Sequence, residues 1–138
     1  MIVWSEEYRV GHPVIDADHQ ALIKIINDFH EKSNNYKEDK LLHETLKGLL
    51  AYSKDHFTRE EKIQKECMYP YLDMHVSEHR VLVAQIMDMA RTYFVEKKKP
   101  INKDSISYMN QFLKNWLIDH VMKFDTNMKE WLETGFGK

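Results

Sequence analysis

Residues 38–67 read EDKLLHETLKGLLAYSKDHFTREEKIQKEC, and the spacing of their inward positions decides the fold. Leu42, Leu46, Leu49, Ser53, His56, Glu60, Ile63 and Cys67 follow one another at steps of three and four residues, the repeat of one helix face packed against a core. No proline interrupts the run, so a single long helix is predicted over 38–67. The second half of its stripe is odd, because His56 and Glu60 stand where leucine or isoleucine would serve packing better.

The same repeat recurs on either side. Ile15, His19, Leu22, Ile26 and Phe29 predict a helix over 16–33, and Leu72, His75, His79, Leu82, Ile86, Met89 and Tyr93 predict one over 71–96. Ile106, Met109, Leu113, Trp116 and His120 begin a fourth over 103–132, which broadens into a face with Leu117, Val121, Phe124, Met128, Trp131 and Leu132. The helices are separated by Ser33-Asn34-Asn35, by Tyr69-Pro70 and by Lys97-Lys98-Lys99-Pro100-Ile101-Asn102, each rich in turn formers or carrying a proline. Short connections favour antiparallel neighbours, so the expected architecture is all-α: an up-down-up-down four-helix bundle, one domain over 1–138, with an N-terminal arm over 1–15.

Composition agrees with that reading and closes off other classes. Four Gly and three Pro among 138 residues are too few for an all-β chain that turns every eight to twelve residues. Twenty basic against twenty-two acidic residues, a formal charge of -2, provide no field that would gather nucleic acid. Cys67 is the single cysteine, which rules out an intrachain disulfide or a thiolate cluster and suits a reducing, cytoplasmic setting. Acidic Glu6 and Glu7 follow the first residues before any apolar signal region forms, and no stretch approaches eighteen apolar residues, so neither a signal peptide nor a membrane span is expected.

What stands out is eight histidines. Five of them, His19, His56, His75, His79 and His120, fall on inward stripes, together with Glu60, and Asp125 lies on the face of the fourth helix. In an up-down-up-down bundle these positions share one end, at depths of about 6–18 Å for a rise of about 1.5 Å per residue. Each unpaired polar group buried there costs a few kcal/mol, and an ionised carboxylate costs more, whereas a cation satisfies all seven together. His75/His79 and His56/Glu60 are i,i+4 pairs, the spacing at which one turn presents two ligands to a metal. His120 and Asp125, five apart, sit about 140° from each other on a regular helix, so joint ligation implies a bend or a π-bulge.

Five imidazoles and two carboxylates are too many for one tetrahedral zinc. If both carboxylates bridge and a hydroxide adds a third bridge, they fill all but one position of an octahedral pair. The nitrogen and carboxylate mix suits iron, without excluding manganese, cobalt or zinc.

The chain resembles the haemerythrin family, specifically its single-domain bacterial members. The resemblance rests on Trp4, Val10-Gly11, Ile15-Asp16-Ala17-Asp18-His19, His56-Phe57-Thr58-Arg59-Glu60-Glu61, Tyr69-Pro70, His75 with His79, and Trp116-Leu117-Ile118-Asp119-His120 ending in Asp125. It implies reversible binding of molecular oxygen at a non-haem di-iron centre, for storage, transport or delivery, and no enzymatic turnover. By position, His75, His79 and His120 would hold the coordinatively full iron, His19 and His56 the iron with the vacancy, and Glu60 and Asp125 would bridge them with an oxo or hydroxo group. Leu22, Trp116, Leu117 and Val121, flanking ligands on inward faces, would wall the oxygen pocket.

Two departures from the family pattern lie near the site: Thr58, and Asp18 where relatives commonly carry Gln. Asp18 is expected as a solvated acid near a helix N-terminus, where acids are favoured. The rival readings are a di-iron oxidase or peroxidase and a sensor of oxygen, nitric oxide or redox state. Ferritin-like enzymes present Glu-x-x-His on each of two helices, and this chain has no such motif. With no signalling domain fused in these residues, any protein partner for delivery or signalling would bind in trans. His12, His30 and His43 read as surface groups, Lys97–Lys99 as a solvated loop, and Cys67 as a small packing residue.

Overall fold

Helix α1 spans Pro13–Lys32, α2 Asp39–Glu66, α3 Leu72–Ala90 and α4 Lys103–His120 in the computed structural model, which describes residues 1–35, 37 and 39–135. Position 38, where the second helix is expected to begin, and residues 136–138 lie outside the described residues. No strand occurs among the described residues. Helix α1 packs against α2 and α4, and α2 against α3, with neighbours antiparallel.

The helix ends follow from local chemistry. Helix α1 starts three residues before the expected 16 because Pro13 belongs to its first turn, where the missing N–H has no partner to lose. His12 caps that end, its Nδ1 accepting from the Val14 amide at 3.2 Å. Helix α4 opens on a capping box in which the Asn102 side chain accepts from the Ser105 amide at 2.9 Å and the Ser105 hydroxyl from the Asn102 amide at 2.8 Å. Helix α2 closes where Met68 turns left-handed, φ 57°, and the Tyr69 amide reaches back to the Gln64 carbonyl at 2.8 Å.

Helices α3 and α4 widen before they end, and a third π turn, Trp131–Gly135, lies further along the chain. Residues Arg91–Val95 and Val121–Asp125 form π turns, bonded from Glu96 to Arg91 at 2.8 Å and from Thr126 to Val121 at 2.9 Å. After the second comes a short helix, α5, at Asn127–Glu130.

The arm is tied down at two points. The Asn27 side chain pairs with both the amide and the carbonyl of Ile2, at 2.9 and 2.8 Å. The Asp16 carboxylate accepts from the Val10 and Gly11 amides at 2.7 and 3.0 Å, and Gly11 supplies the φ of 95° that this turn needs.

The core divides in two. A large apolar cluster includes Leu22, Leu49, Phe57, Leu82, Trp116 and Val121, and a small one contains Val10, Ile15, Cys67, Tyr69 and Met128. His19 falls between Ile15 and Leu22, Glu60 between Phe57 and Cys67, and Asp125 between Val121 and Met128. A layer of ionisable side chains is therefore closed off above and below by apolar packing. The α2 stripe shifts by one residue at its end: Gln64 is fully buried there, while Ile63 is only partly covered.

Candidate metal centre

Helix α1 contributes His19, α2 His56 and Glu60, α3 His75 and His79, and α4 with its π turn His120 and Asp125. All seven side chains are buried, each 4% exposed or less. Their ligand atoms form two overlapping groups, within each of which every atom lies within 4.8 Å of the others: Glu60, His75, His79, His120 and Asp125, and His19, His56, Glu60 and Asp125. Glu60 and Asp125 belong to both. The i,i+4 pairs deliver both side chains of each pair to one group on regular helix, whereas the five-residue step needs the wider turn at Val121–Asp125. That turn brings Asp125 Oδ1 to 2.9 Å from His120 Nε2.

Not every close approach in the cluster is an ordinary hydrogen bond. His19 Nε2 lies 2.9 Å from Asp125 Oδ2, and His56 Nε2 lies 3.3 Å from Glu60 Oε2, yet all four atoms lack a hydrogen-bond partner of acceptable geometry. His120 Nε2 is similarly unpartnered. Buried polar atoms are rarely left in that condition. A cation bonded at about 2.1 Å to two ligands at right angles places them about 3.0 Å apart, so unpartnered nitrogen and oxygen atoms at these distances suit metal ions between them. Soft ligands are absent from the set, and imidazole with carboxylate matches iron.

The charges agree. Burial alone would raise the Glu60 and Asp125 carboxyls, but the surrounding imidazoles hold both well below the carboxylate range. Burial would lower His19 and His75, but the close carboxylates of Asp125 and Glu60 outweigh it and push them up to about 10 and about 9. Two buried anions thus demand positive charge from the groups around them.

Behind the cluster, two further carboxylates reach imidazole nitrogens. Glu61 lies 2.7 Å from His79 Nδ1, and Asp18 lies 2.9 Å from His56 Nδ1. The Asp18 expectation is corrected here: the residue is 6% exposed and bonded to His56, Arg59 and Tyr52, not solvated. Its sequence position near the start of α1 suggested solvent, and the partners that bury it come from α2, some forty residues away. Burial would raise its carboxyl, but His56, Arg59 and Tyr52 hold it below the ordinary range.

A cavity of about 10 Å³ lies against the second group, lined by His19, His56, His120 and Asp125 on one side and by Leu22, Phe57, Leu82, Trp116 and Leu117 on the other. Of the four residues expected to wall an oxygen pocket, Leu22, Trp116 and Leu117 line this cavity. Val121 is buried in the large apolar cluster but does not line this cavity, while Phe57 and Leu82 do. Phe57 follows His56 directly and Leu82 is one turn beyond His79, so both adjoin members of the cluster. A cleft of about 440 Å³ beside Tyr69, Tyr71, Lys123 and Phe124 reaches His75 from the solvent side.

The family model described as Hemerythrin HHE cation binding domain matches residues 10–132. The chain is 28% identical over 126 residues to a myohemerythrin of Theromyzon tessulatum, covering 91% of this chain and 89% of that one. It is 26% identical over 127 residues to a bacteriohemerythrin of Aquifex aeolicus, covering 90% and 92%. A bacteriohemerythrin of Stenotrophomonas maltophilia is 22% identical over 121 residues, covering 88% and 74%.

Proposed function

The chain belongs to the haemerythrin family, and from that premise we propose that it binds molecular oxygen reversibly at a di-iron centre, for storage, transport or delivery. The observation that carries the reading is the pair of ligand groups sharing two buried carboxylates. In it, His75, His79 and His120 would hold one iron and His19 and His56 the other, with Glu60 and Asp125 available to both. The group with two histidines offers fewer protein ligands and would leave a position for oxygen, and the apolar cavity adjoins that group.

When bound, the iron pair supplies the electrons that oxygen borrows and returns. The chain's own part is exclusion and orientation. Leu22, Phe57, Leu82, Trp116 and Leu117 turn carbon toward the cavity and keep water and solutes out of it. A space of about 10 Å³ is close to the minimum for one water-sized sphere, which suits a ligand as small as a diatomic molecule. No helix among the described residues is long and apolar enough to cross a membrane.

The test is reconstitution with ferrous iron under inert gas. Two irons per chain, with a visible absorption that appears with oxygen and vanishes under vacuum, support the reading. A single bound zinc, or loss of colour with turnover of a reductant, overturns it. Glu60→Gln removes a shared ligand and is expected to leave fewer than two irons per chain.

A further inference from the structure

We infer that Asp18 is a positioning residue for the iron that keeps a free position, and that Arg59 and Tyr52 set how strongly it acts; this rests on the di-iron reading above. Asp18 Oδ2 accepts from His56 Nδ1 at 2.9 Å. With its proton fixed on that outer nitrogen, the imidazole turns the Nε2 lone pair into the cluster, where Nε2 has no hydrogen-bond partner. An anion behind a ligating imidazole makes it a stronger donor, which favours the ferric over the ferrous state.

The same carboxylate is held from outside by a fork. Arg59 Nε donates to Oδ2 at 2.8 Å, Arg59 Nη2 to Oδ1 at 2.8 Å, and the Tyr52 hydroxyl to Oδ1 at 2.7 Å. The guanidinium also sits 5.5 Å from the centre of the Tyr52 ring, which fixes its plane. These donors draw charge from Asp18 and so moderate what His56 receives. The arrangement is particular to His56 among the described residues: there His19, the other histidine of that group, has no partner at Nδ1, and Glu61 behind His79 is 30% exposed. The Arg59 side chain, 41% exposed, reaches the surface, so the moderating charge sits where substitution disturbs little packing.

Opposite signs follow for the two halves of the network. Removing the anion weakens the imidazole as a donor. Removing the fork strengthens it. A purely structural salt bridge would shift both variants the same way or not at all.

The experiment loads parent, Asp18→Asn, Arg59→Gln and Tyr52→Phe with ferrous iron and measures iron affinity and the midpoint potential of the iron pair by spectroelectrochemistry, with circular dichroism to check folding. For Asp18→Asn the potential rises and one of two iron sites weakens by about 10–100-fold. For Arg59→Gln the potential falls, and for Tyr52→Phe it falls by less, with two irons retained in both. Parental potential and affinity in Asp18→Asn, or a shift of the same sign in Asp18→Asn and Arg59→Gln, overturns the proposal. Should Asp18→Asn fail to fold, Arg59→Gln and Tyr52→Phe decide it, and parental potentials in both overturn it. A parent chain that binds fewer than two irons instead overturns the di-iron reading, a result seen before any variant is compared.

Discussion

The Trp116 indole N–H donates to the Leu82 carbonyl at 3.0 Å, joining α4 to α3 beside the small cavity. The only polar atom of that side chain is thereby committed, and the ring offers carbon to the cavity. Leu82 lies inside α3, so its carbonyl keeps its helical partner in Trp116→Phe, and loss of the indole bond is expected to cost about 0.5–1.5 kcal/mol in denaturant unfolding. Unchanged stability would mean that the bond contributes nothing net.

Leu117 stands 4% exposed on the cavity wall. Leu117→Ala opens space for water next to the free coordination position, and the oxygenated protein is expected to autoxidise faster with two irons still bound. The substitution also costs about 2–5 kcal/mol of stability, read from the unfolding midpoint. An autoxidation rate equal to that of the parent would remove Leu117 from any gating role.

Met68 is 81% exposed and holds a φ of 57° at the end of α2. The left-handed region costs a residue with a Cβ about 1–2 kcal/mol, part of which glycine forfeits to its greater freedom when unfolded. Met68→Gly is therefore expected to stabilise the chain by about 0.5–1 kcal/mol with unchanged iron content. A loss of stability would show that Met68 makes contacts worth more than the strain.

His43 stacks on Phe94 with ring centres 5.2 Å apart. Burial, then the charge of Lys47, pushes the imidazole below its ordinary value of 6.5. The folded state thus favours the neutral ring. Its stabilising contribution is complete above pH 6.5 and declines as the pH falls through the folded value. An NMR titration should find His43 below 6.5 and Phe94→Leu closer to it, whereas a midpoint above 6.5 in the parent contradicts this.

Much of this was legible in the sequence because helical periodicity is a one-dimensional signal. The α1 positions Ile15, His19, Leu22, Ile26 and Phe29 are all buried, and the polar members of each stripe mark the layer where the core is broken. The five-residue step from His120 to Asp125 could be read as a widened turn because the angular misfit on a regular helix is large. Three features were not legible. Pro13 looks like a break, but its place in the first turn makes it a helix starter. The Gln64-for-Ile63 shift depends on how the end of α2 meets Met128, whose sulfur accepts from Gln64 Nε2 at 3.1 Å. Asp18 is buried only because Tyr52 and Arg59 approach it from another helix, and no pattern within α1 announces that.

Oxygen stoichiometry tests the central claim most directly. Ferrous-loaded protein is titrated in a sealed oxygen electrode cell, degassed, and titrated again. One oxygen molecule taken up per two irons, returned on degassing and taken up again in equal amount, is the result this account predicts. Oxygen consumed continuously in the presence of a reductant, or taken up once and never released, would contradict it.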